Sequence, residues 1–111
     1  MVFELDFRLE MKAYDTALQY NTLTDYQASI KAFDNFILDF PGSKLREKAM
    51  YYRFDSSYRL ALNSVSWKMQ ERIDKATSHY HSLKKSYDSS EFIQDAEMKL
   101  DELNELKTIK I

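Results

Sequence analysis

Phe33-Asp34-Asn35-Phe36-Ile37-Leu38-Asp39-Phe40-Pro41-Gly42-Ser43-Lys44-Leu45-Arg46-Glu47-Lys48-Ala49 is the stretch that decides the fold, because its pattern returns 47 residues later. Phe33, Phe36, Phe40, Pro41, Gly42, Ser43, Leu45 and Ala49 are answered by Tyr80, Leu83, Tyr87, Asp88, Ser89, Ser90, Phe92 and Ala96. Aromatic or apolar positions keep that character and small positions stay small. Self-similarity at a long fixed period marks a stacked helical array, in which each unit buries its apolar face only against a neighbour. Upstream of each turn an apolar or small stripe runs at alternating spacings of three and four. It passes through Tyr26, Ser29, Phe33, Phe36 and Phe40 in one copy and Ile73, Ala76, Tyr80, Leu83 and Tyr87 in the other.

Local signals place the helix ends. Thr24-Asp25-Tyr26-Gln27 has capping-box spacing and predicts a helix start near Asp25. Pro41 has no amide to donate and disfavours helical backbone at Phe40; Gly42 then relaxes the turn and Ser43 is placed to cap the next helix. Asp88-Ser89-Ser90 does the same without proline. Asn63-Ser64-Val65-Ser66 gathers residues whose side chains compete for backbone hydrogen bonds, which predicts a loop there and a new helix from about Trp67. Trp67 lies outside the matched stripe and is expected to staple the loop, the alternative being an exposed anchor. Five helices result, near residues 3 to 21, 25 to 40, 44 to 62, 67 to 87 and 90 to 107. They group as a first hairpin over residues 1–43, a lengthened second hairpin over 44–89 and a capping helix over 90–111, all in one domain. Phe3, Leu5, Phe7, Leu9 and Met11 alternate with charged residues in the period of a strand. No second strand is visible to pair with them, and Phe7, Met11, Tyr14 and Leu18 also form a helical stripe, so the segment reads as helix. The middle helix has two apolar faces, Leu45, Ala49 and Tyr52 against Tyr51, Phe54, Tyr58 and Leu62, as expected of a helix inside a stack.

Composition narrows the function classes. One Gly and one Pro in 111 residues argue against a many-turned sandwich or barrel. The absence of Cys excludes a disulfide framework, a thiolate zinc site and a thiol nucleophile. No apolar run approaches the roughly 20 residues of a membrane-spanning helix. The net charge of -2 is unevenly spread: residues 1–43 hold 3 basic and 7 acidic groups, residues 44–85 hold 10 and 4, and residues 86–111 hold 3 and 7. A basic hairpin between acidic neighbours compensates within the chain and does not suit a nucleic-acid binder, which would carry a net basic face.

The first hairpin resembles a tetratricopeptide repeat, with Ala17 at a small position, Tyr20, the Thr24-Asp25-Tyr26 turn, Phe33 and Pro41; Ser29 replaces the usual Ala. Ala49, Ala76, Tyr80 and Ala96 complete the repeat positions. Small residues there let paired helices approach while aromatic rings fill the space above and below. The resemblance implies an all-α fold of tetratricopeptide-like hairpins stacked in a short right-handed solenoid. Phe40-Pro41-Gly42-Ser43-Lys44-Leu45-Arg46-Glu47-Lys48-Ala49-Met50-Tyr51-Tyr52, then Ser57-Tyr58 and Leu60-Ala61-Leu62-Asn63-Ser64-Val65, resembles the C-terminal repeats of the BamD/YfiO outer-membrane assembly lipoproteins. The Asn-Ser loop and the Lys68, Glu71, Arg72 segment lengthen the second repeat in the same way. From about Leu5 to Leu106 the likeness implies a non-catalytic scaffold of the machinery that inserts β-barrel proteins, periplasmic at the inner face of the outer membrane, with protein subunits of that machinery as partners. Such proteins carry a signal peptide and a lipid-modified Cys, so this chain is expected to be a C-terminal part whose lipid anchor lies upstream.

Chemistry is sparse. His79 and His81, two residues apart on a helix, point apart and do not make a metal pair. No phosphate loop, nucleophile elbow or metalloprotease motif occurs. Asp101 and Glu105 share a helix face that reads as solvated. No catalytic, cofactor or metal residue is assigned. Recognition falls instead to the basic hairpin, where Arg53 and Arg59 lie off the apolar stripes and Lys68 and Arg72 flank the loop; these four are the candidate partner contacts. Two alternatives are a cytoplasmic adaptor for peptide tails and a fragment that self-associates through Phe3, Phe7 and Met11.

Overall fold

The computed structural model describes residues 2–110, and their side chains from residue 7 to residue 109. Five helices follow one another: α1 (Val2–Thr22), α2 (Tyr26–Asp39), α3 (Arg46–Leu62), α4 (Ser66–Ser86) and α5 (Ile93–Lys110). The alternating segment near the start is helical, and no strand occurs among the described residues. Each helix packs on the next, and α3 also touches α1 and α5. Among the described residues α2 and α4 do not meet, so α1, α3 and α5 form one layer while α2 and α4 stand apart on it. The stack measures 55 × 29 × 18 Å.

The core follows the stripes. Tyr14, Ala17, Phe33, Phe36 and Ala49 form one buried cluster, with Leu45 and Tyr52 packed against it. Tyr51, Phe54, Tyr58, Ile73, Ala76, Tyr80, Leu83, Ala96 and Leu103 belong to the other, with Leu62 at its margin. The two faces of α3 therefore serve two interiors. Phe33 meets Tyr14 edge-on at 6.0 Å, and its counterpart Tyr80 meets Phe54 edge-on at 6.2 Å. Ala17, Ala49, Ala76 and Ala96 are wholly buried, which is the close approach their size permits.

The turns repeat as closely as the stripes. Phe40 and Tyr87 each end a helix by donating back to Phe36 and Leu83. Ser43 and Ser90 then place their backbone amides 3.0 Å from the Phe40 and Tyr87 carbonyls. The Ser43 hydroxyl accepts from Leu45 N at 2.9 Å and donates to Glu10; Ser90 accepts from Phe92 N at 3.1 Å and donates to Glu47 at 2.7 Å. Each serine thus closes a turn on the amide two residues on, and α3 and α5 begin only at Arg46 and Ile93, later than the sequence predicts.

Three local expectations are corrected. Thr24 does not cap α2; it adopts left-handed backbone, φ 63°. Its amide donates to Asn21 O and that of Asp25 to Tyr20 O, a pair of bonds that seals the end of α1, while the Asp25 carboxylate caps α2 through Ala28 N. Trp67 is 81% exposed instead of stapling the loop, because it stands two positions before Met69, about 200° round α4, and Met69 faces the core. Tyr20 is 38% exposed, since α1 ends within one turn of it and no helix covers that side. Of the proposed self-association patch, Phe7 is exposed and Met11 half-buried, whereas the Phe3 side chain lies outside the described residues.

Candidate functional site

The gap between α2 and α4 leaves a groove floored by α3. A cavity of about 370 Å³ opens there, lined by Gln27 and Ile30 of α2, Ser57 and Leu60 of α3, and Lys68, Glu71, Arg72 and Lys75 of α4. Positions 68, 72 and 75 fall on one side of α4 through spacings of four and three. Arg72 is held in place: its Nη1 donates to Ser64 Oγ at 2.8 Å, and Ser64 donates to Leu60 O at 2.7 Å. The serine of the Asn-Ser loop thereby orients a guanidinium over the groove. Lys68 and Lys75 are exposed, and Glu71 is the one acidic residue in the lining.

Beneath the groove Ser57 donates to Arg53 O at 3.0 Å and lies 2.6 Å from His79 Nδ1. With the Ser57 proton used on the carbonyl, the His79 hydrogen belongs on Nδ1. Burial, reinforced by the nearby Arg53 charge, depresses the His79 pKa to about 4, so the ring is neutral near pH 7. It is a packed polar bridge between α3 and α4; His81 is exposed. Among the described residues, no group of three His, Asp or Glu side chains could hold a metal ion.

The four candidate contacts divide. Lys68 and Arg72 lie together in the groove. Arg53 instead binds Asp34 at 2.9 Å with its side chain 13% exposed, its Nε lacking a hydrogen-bond partner. Arg59 binds Asp55 at 2.8 Å with its side chain 45% exposed, and that bond holds its pKa above the ordinary value. Sequence reasoning missed Lys75, although its spacing from Arg72 signals the shared face. It also missed Gln27 and Ile30, which join the groove only through the packing of α2 on α3. A second, shallower concavity between α1 and α2 is lined by Leu9, Lys12, Ala13, Phe36, Asp39 and neighbours, with one cation and one acid.

A family model described as "YfiO: Outer membrane lipoprotein" matches residues 6–107. No curated protein matches the chain. No described helix is long and apolar enough to cross a membrane.

Proposed function

The chain belongs to the YfiO outer membrane lipoprotein family, and on that premise we propose that it serves as a non-catalytic scaffold in the machinery that assembles β-barrel proteins in the outer membrane. The observation that carries this reading is the family match, which spans all five helices. The proposed partners are protein subunits of that machinery, and the proposed location is periplasmic, at the inner face of the outer membrane. The fold suits a scaffold, because a stack of helices with two tight cores offers a stiff surface whose shape is set before a partner arrives, so little ordering opposes docking. Within the basic hairpin the proposed contacts are Lys68 and Arg72. Arg53 and Arg59 contribute only if they leave Asp34 and Asp55.

Removing the gene from its bacterium and quantifying β-barrel proteins in the outer-membrane fraction tests the reading. Their levels should fall, and return when the full-length gene is restored. Unchanged levels would remove the assembly role.

A further inference from the structure

Resting on that scaffold reading and sharpening it, we propose that the groove between α2 and α4 binds an extended acidic segment of a partner protein, with carboxylates on Lys68, Arg72 and Lys75 and an apolar side chain over Ile30 and Leu60. The first argument is unspent charge. Among the described residues the ion pairs fall elsewhere: Arg53 on Asp34, Arg59 on Asp55, Lys84 on Glu97, and Lys99 on Asp55 and Asp95. Three cations and one acid therefore share a recess with two positive charges in excess.

Spacing supplies the second argument. Lys68 and Lys75 are seven residues apart, roughly 10 Å along the helix at 1.5 Å per residue. An extended peptide covers that distance in about three residues, and its alternate side chains, roughly 7 Å apart, match the step of about 6 Å from Lys68 to Arg72. Arg72 is already fixed by Ser64, which removes part of the ordering cost of gripping a carboxylate. The apolar floor is the third argument, since Ile30 is buried and Leu60 half-buried at the base of a recess. A flat lipid surface reaches the tips of Lys68 and Lys75 but leaves that floor unused. A long polyanion such as nucleic acid would have to run on across the acidic stretches on either side, residues 1–43 and 86–111. The concavity between α1 and α2, with its balanced charges, offers no comparable selection.

The test uses the full chain and a fluorescein-labelled peptide of alternating Glu and Leu, with a Gln-and-Leu peptide as control and phosphatidylglycerol vesicles as rival. Binding is read by anisotropy, and by the emission of Trp67, the single tryptophan, next to Lys68 in sequence. The Glu peptide should bind saturably and about tenfold or more tighter than the Gln peptide, weakening with salt. The double variant Lys68→Glu/Lys75→Glu should lose about tenfold or more in affinity with far-UV helicity unchanged; Lys68→Gln/Lys75→Gln gives the same reading at lower charge. Equal binding of the two peptides, full affinity in both double variants, or binding to vesicles alone overturns the proposal. If the peptide fails while β-barrel levels still fall on gene loss, the groove assignment goes and the scaffold role stays; the converse removes the scaffold role.

Discussion

Lys99 Nζ of α5 lies 2.8 Å from Asp55 Oδ1 of α3, joining the last helix to the middle one through a carboxylate that is 2% exposed. Asp55 also accepts from Arg59 Nε and from Asn21 Nδ2 of α1, so one side chain ties the whole layer of α1, α3 and α5. Burial opposes the charge on Lys99, but its bonds to Asp55, Tyr51 and Asp95 outweigh burial and raise its pKa. The ammonium also stands 5.2 Å from the Tyr51 ring centre.

Replacing Asp55 by Ala leaves Lys99, four-fifths enclosed, with Asp95 as its one charged partner and takes an acceptor from Asn21 and Arg59, and should cost about 3 kcal/mol of stability. Arg59→Ala removes a half-exposed partner from the same carboxylate and should cost about 0–1 kcal/mol. Urea unfolding of the two variants measures both; equal losses would show that the network acts through some other group.

The His79 ring titrates at about 4 in the folded chain against 6.5 in its ordinary environment. Between those values the unfolded chain binds the proton that the folded chain refuses, so stability is complete above pH 6.5 and drains away as pH falls toward 4. The loss should be on the order of 3 kcal/mol across that window. In His79→Gln the slope between pH 5 and 6.5 should flatten, and an unchanged slope in pH-dependent unfolding refutes the assignment.

Thr24 holds a β-branched side chain at φ 63°, a backbone region that costs L-residues about 1 kcal/mol or more and glycine almost nothing. Thr24→Gly should therefore raise stability by about 0.5–1 kcal/mol after glycine's larger unfolded-state freedom is subtracted. Thermal unfolding decides it, and a fall in the midpoint contradicts the strain argument.

Phe33 is wholly buried and Trp67 is 81% exposed. Phe33→Ala should cost about 3–5 kcal/mol, whereas Trp67→Ala should stay within about 0.5 kcal/mol. A large loss in the tryptophan variant would place the indole in the core after all.

The repeat made most of the fold legible. Phe33 with Tyr80, Ser43 with Ser90 and Ala49 with Ala96 occupy matching environments because burial imposes the same size and polarity on both copies. What escaped was conformational or tertiary. Thr24 carries the residues of a cap and performs as a helix stop, since the sign of its φ is decided by how α1 ends. Trp67 reads as a packing residue because of its size, but it stands two positions before the buried Met69, on the opposite side of α4. Of the site, Lys68 and Arg72 were readable from charge beside the loop; Lys75 was missed, its spacing from Arg72 being the one signal it carried, and the apolar floor had none. Asp55 gave no signal at all: a carboxylate between Phe54 and Ser56 announces its burial only when three helices have closed around it.

Because α3 lends one face to each cluster, neither hairpin owns an interior. Cutting the array at any turn leaves half a wall bare, so such a molecule lengthens or shortens only by whole helices. Opening should spare α3, which packs on all four of the other helices, so its amides should be last to exchange with solvent.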